Sequence, residues 1–168
     1  QVPKSEDYFT EEVINQLGEE KRDIYIELID ALNEPHPGKA FIMPTSDAMT
    51  LAAKHFVRGE LPQIEGFHKV VGGKDRSLWR DYLGHLGPGF DRLEGYVFYS
   101  TIYGKSPELI TEPIEFGGDP EFPGLELDKV FRKIAWQAVI NHPRSGVRDE
   151  DGDGLADYAV KAEGKEKG

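Results

Sequence analysis

Ala40-Phe41-Ile42-Met43-Pro44-Thr45-Ser46 joins a short, fully apolar run to a proline and two hydroxyl residues of the kind that cap helices. A run this short and apolar suits a buried parallel strand, closed by Pro44. Thr45 or Ser46 then caps a helix through about Arg58, with Gly59 as its stop. Strand, tight turn and helix make an α/β half-unit. No second strand is evident, because Val70-Val71 is too short, and a lone strand leaves its backbone groups unpaired. Either the domain is mostly α with a minor α/β element and few strands, or it is part of an α/β fold whose sheet lies in sequence outside this chain. The first is the expected fold class. On either account the open edge of 40–43 invites assembly with another chain or with a missing N-terminal part.

On the N-terminal side, Thr10 caps a helix whose first turn carries Glu11 and Glu12, where negative charge suits the helix dipole. Val13, Ile14, Leu17, Ile24, Leu28, Ile29 and Leu32 continue it at helical period, with Gly18 as a place where it divides, until Pro35 and Pro37 end it. On the C-terminal side, 60–84 reads as loop. A helix follows Pro88 through Tyr103, apolar around much of its circumference and therefore expected to be buried. The prolines of 105–124 mark an irregular excursion, and 128–141 is the clearest amphipathic helix. The expected organisation is one predominantly helical domain over 1–142, a loop extension over 143–160 and a flexible charged tail over 161–168.

The 168 residues allow one domain with a real core. A net charge of -11 argues against nucleic-acid binding and against docking on anionic membranes, and suits cations. With no cysteine, disulfides, thiolate zinc sites and cysteine nucleophiles are excluded. No apolar run approaches the roughly 18 residues of a membrane span. The chain starts at Gln1 without methionine, as a processed protein or a fragment would.

Asp149-Glu150-Asp151-Gly152-Asp153-Gly154-Leu155-Ala156-Asp157 states a chemistry most directly. Aspartates fall at positions 1, 3, 5 and 9 with glycine at 6, the spacing by which a loop wraps oxygens around Ca2+. Asp149, Asp151, Asp153 and Asp157 would give side-chain oxygens, and Leu155 its carbonyl. Position 12, a bidentate glutamate in a complete helix-loop-helix site, is Val160. The loop therefore resembles the DxDxDGxxD loops of thrombospondin type 3 repeats and, more loosely, of dockerins. The resemblance implies a structural calcium ion at the exit of the last helix, in a secreted, periplasmic or cell-surface protein. The alternative is a solvated acidic segment.

A second constellation is Asp81-Tyr82-Leu83-Gly84-His85. A carboxylate orienting a histidine as general base is the logic of a hydrolase triad. Together with 41–49, Gly59-Glu60-Leu61-Pro62 and the aromatic stretch 95–107, it resembles the C-terminal part of SGNH/GDSL-type hydrolases over about residues 39–110. That resemblance implies an esterase acting on ester or acetylated carbohydrate substrates, with Asp81 and His85 as orienting acid and base. Two departures stand out. Here the acid and base are separated by three residues where that family has two, and no Gly-Asp-Ser nucleophile block or Gly-x-Ser-x-Gly elbow is present. The chain then reads as a fragment or non-catalytic relative, and His85 equally as a loop histidine bonded to Asp81 or capping the next helix. Whether it is an enzyme stays open. Its first-ranked function is calcium binding with a structural or assembly role. His36 and His55 read as surface residues, and Glu65 with His68 as too interrupted by Gly66 for a helical metal pair.

Overall fold

The computed structural model describes residues 5–112 and 121–158. Val160, the 161–168 tail and the middle of the 105–124 excursion lie outside them. The fold is mostly helical with one small strand pair, in the order α1 (Glu11–Asn33), α2 (Thr45–Val57), β1 (Gly66–His68), α3 (Lys69–Gly72), β2 (Ser77–Trp79), α4 (Phe90–Tyr103) and α5 (Leu125–Asn141).

Thr10 Oγ1 accepts from Val13 N at 3.3 Å and caps α1. The helix then runs through Gly18 without a break. The glycine serves a crossing instead: a Cβ there would lie 2.6 Å from Thr50 Cγ2, so the α1 backbone at Gly18 packs directly on the Thr50 side chain of α2. Thr45 and Ser46 lie inside α2, whose N-cap position is Pro44 with no side-chain cap bond.

The apolar run 40–43 forms no strand. Its backbone groups are satisfied elsewhere. Asn33 Oδ1 accepts from Lys39 N and Ala40 N, Asn33 Nδ2 donates to the Ala40 carbonyl, and Ile42 N donates to the Arg144 carbonyl at 2.9 Å. Phe41 and Met43 stay largely exposed, although the Phe41 ring lies where a side chain on Gly146 would have to go. The strands arise instead in the region that reads as loop. β1 and β2 pair in parallel, with Gly66 opposite Ser77 and His68 opposite Trp79, and Val70-Val71 belongs to the connecting turn of helix α3. Three-residue strands carry too little alternation to stand out from their glycines. Gly87 closes this unit, since a Cβ there would fall 1.6 Å from the Ser77 carbonyl oxygen.

α2 packs between α1 and α5, and α5 lies along α4. Phe90, Leu93 and Val97 meet Leu127, Phe131 and Ile134 in the core, with the Phe90 and Phe131 rings 5.0 Å apart. α4 is not buried all round, because Ile102 and Tyr103 at its end face solvent. α5 begins earlier than its apolar period suggests, and Asp128 is a buried anchor within it. Its carboxylate accepts from Tyr96 Oη (2.7 Å), Arg132 Nε (2.7 Å) and Arg92 Nη1 (3.3 Å). Burial first, then this bond to Asp128, pushes the Tyr96 phenol up to about 12. Among the described residues no helix is long and apolar enough to cross a membrane.

Candidate metal centre

After α5 the chain turns at His142, which is buried. Its Nδ1 accepts from Arg144 N at 3.1 Å, and its Nε2 lies 3.5 Å from Asp47 Oδ2. Arg148 donates to the carbonyls of His142, Pro143 and Val147, which fixes the approach to the acidic loop. Val147, just before that loop, and Ala156, near its end, are buried in the main core, so the segment packs back against the domain.

The loop draws Asp149, Asp151 and Asp153 together, with one carboxylate oxygen from each within 4.8 Å of the others. Two oxygens sharing a calcium ion at about 2.3–2.6 Å can be at most about 5 Å apart, so the spacing matches a common ion. Backbone N–H groups aim the carboxylates. Gly152 N and Gly154 N donate to the two oxygens of Asp149, Asp153 N to Asp151, and Leu155 N to Asp153 at 2.7 Å. Gly154, at position 6, has φ +84, in the left-handed region that favours glycine. At their spacing, each carboxylate pair repels by about 1 kcal/mol even at the dielectric of water. A cation would reverse the sign of that contribution.

Asp157 does not enter the cluster. Its Oδ1 accepts from Glu150 N at 3.3 Å, so it closes the loop from the far side. Leu155 pairs with Lys105 as an isolated antiparallel bridge. Flanking bonds Ser106 N to Gly154 O and Ala156 N to Gly104 O, both 2.7 Å, tie the loop to the end of α4. The residue that sequence reasoning missed is Trp136 on α5, whose Nε1 donates to Asp149 Oδ2 at 3.0 Å. Its position on a buried helix gives no hint of a polar task, and only the return of the chain after His142 supplies the partner.

The second pair also meets. Arg80 N donates to the His85 carbonyl and Trp79 bridges Leu86, making a tight loop in which His85 Nδ1 lies 2.6 Å from Asp81 Oδ2. The His85 bond, above all, holds the Asp81 carboxyl below its usual range. Asp81 lines a groove of about 670 Å³ together with Ser46, His68, Trp79 and Tyr82. The His85 side chain is 64% exposed, and no serine hydroxyl bonds to it among the described residues. Ser77, Ser100 and Ser145 are buried, and Ser106 caps a short 3-10 turn. His68 caps α3 through Nδ1 and stacks on Tyr82, while His55 is partly covered and pairs with Glu60 at 2.8 Å. His36 is exposed.

No family model, curated protein or solved structure matches the chain.

Proposed function

We propose that this protein binds one calcium ion in the loop 149–157 and that the ion has a structural role, holding the segment after α5 against the ends of α4 and α5. The observation that carries the reading is the convergence of three carboxylates within 4.8 Å on a loop with glycine at position 6. Asp149, Asp151 and Asp153 supply the first oxygens, and the Leu155 carbonyl and Asp157 complete the set after a small closure of the loop. Without a carboxylate at position 12, affinity belongs to the range of extracellular modules, about 10⁻⁴–10⁻³ M. Such a site fills only where calcium is near millimolar, which supports a location outside the cell, on its surface or in the periplasm.

The test is a thermal melt with 2 mM calcium and with chelator. Ligand linkage at that affinity gives about 0.6–1.8 kcal/mol, or a Tm shift of about 1–7 °C for a chain of this size. Asp151→Ala and Asp153→Ala should abolish the shift. A wild-type protein whose melt ignores chelator sinks the structural role. The 2.6 Å contact of His85 with Asp81 beside a groove supports a second reading, a hydrolase-type base completed by a nucleophile from elsewhere. Ester hydrolysis that is absent, or unchanged in His85→Ala, removes it.

A further inference from the structure

Helix α1 buries Ile14 and Ile29 but leaves Leu17, Ile24, Leu28 and Leu32 between 46% and 64% exposed. Spacings of seven, four and four residues put these four on one face, a stripe about 22 Å long at 1.5 Å per residue. Soluble surfaces seldom carry so regular an apolar line without a partner. At its N-terminal end the stripe runs into the groove described above, because Leu17, Lys21 and Tyr25 also line that groove with Met49 and Trp79. Along the opposite flank from Gly18, the point where α1 crosses α2, Glu20, Glu27 and Glu34 recur at intervals of seven and are exposed. Seven-residue spacing keeps them in one row beside the stripe.

We propose that this face docks an amphipathic helix of a partner protein. Its apolar side packs on Leu17, Ile24, Leu28 and Leu32, and a row of Lys or Arg lies along the Glu20, Glu27 and Glu34 edge. One of its large apolar side chains enters the groove beside Tyr25 and Trp79. Three features select this occupant. The stripe has the period of a helix-in-helix contact and the groove offers a socket at one end. The glutamate row is uniform in sign and calls for cations opposite it. A second copy fits poorly, because antiparallel pairing of two α1 stripes sets glutamate row against glutamate row, and each chain carries a net charge of -11. Lys21, inside the stripe, fixes register by favouring one acidic residue opposite it.

The probe is an 18-residue Leu/Lys amphipathic peptide, compared with its Leu/Glu counterpart by fluorescence anisotropy at low and moderate salt. The full chain is used, and circular dichroism establishes that each variant folds. The Leu/Lys peptide should bind, and Leu28→Glu should weaken it at least tenfold although that change adds negative charge. Reversal of the edge (Glu20→Lys, Glu27→Lys, Glu34→Lys) should weaken it similarly and admit the Leu/Glu peptide. Failure of the Leu/Lys peptide to bind, equal or tighter binding to Leu28→Glu, or equal binding of both peptides to the wild-type chain overturns the proposal. So does a concentration-dependent dimer in sedimentation that Leu28→Glu abolishes, which would make a second copy the occupant.

Discussion

Trp136→Phe isolates the link between α5 and the acidic loop. The substitution keeps an aromatic ring in a buried position but removes the Nε1–H that donates to Asp149 Oδ2 at 3.0 Å. A hydrogen bond to a charged group contributes about 1.5–3 kcal/mol, and the lower end applies here because Asp149 is partly solvated and keeps the Gly154 N–H. The smaller ring adds a packing loss on the order of 1 kcal/mol. The sum, about 2–3 kcal/mol, lowers Tm by roughly 4–12 °C in chelator. A double-mutant cycle with Asp149→Ala separates the two contributions, since only the hydrogen bond couples the sites. The coupling should be about 1–1.5 kcal/mol. Trp136 also orients a proposed calcium ligand from outside the coordination sphere, so its loss should weaken calcium about tenfold or more by titration calorimetry. A coupling below about 0.3 kcal/mol together with unchanged calcium affinity would refute the idea that α5 holds the loop through this indole.

Further outcomes follow from the packing. Gly18→Ala should destabilise by about 1 kcal/mol or more despite the better helix former, because its Cβ meets Thr50 Cγ2 at 2.6 Å, and Thr50→Ala should relieve much of this in a denaturant-melt cycle; full stabilisation by Gly18→Ala alone would contradict the close crossing. Asp128→Ala leaves the largely covered Arg92 and Arg132 without their shared carboxylate and should cost about 3 kcal/mol in urea unfolding; a loss under about 1 kcal/mol would show that the cluster is not a keystone of the α4–α5 contact. His142 is held below its ordinary value, first by burial and partly offset by Asp47, so the folded protein takes up this proton at lower pH than the unfolded chain, which protonates near pH 6.5. Stability is therefore full above about pH 6.5 and falls as the pH drops below it, by at most about 1.4 kcal/mol per unit, down to the folded-state value; a melt series from pH 7.5 to 5.5 should show this slope, and the same slope in His142→Gln would assign it elsewhere.

The long elements were legible because a helix writes its period, cap and stop locally. Thr10, the apolar positions of α1 and the glycine at 59 each act within one turn of their own place in the chain. The strands were misplaced for the opposite reason. Whether 40–43 pairs with a neighbour depends on Asn33 and on Arg144, which lies about a hundred residues away, and no local pattern encodes that competition. β1 and β2 owe their pairing to the Gly87 approach and the α3 turn rather than to any run of strand-forming residues. Of the loop, Asp149, Asp151 and Asp153 were readable from spacing alone. Asp157 sits at the spaced position but turns to Glu150, and Trp136 enters only through tertiary packing.

The two backbone bonds from Gly104 and Ser106 to the loop have a mechanical meaning. They run from the end of α4 to Ala156 and Gly154, just before the last described residue, Tyr158. A pull on Tyr158 itself therefore meets this short clamp before it reaches α5 or the buried Asp128 cluster. An ion bridging Asp149, Asp151 and Asp153 would stiffen the loop side of that clamp, so a pull on the loop would be resisted by the ion as well as by these two bonds.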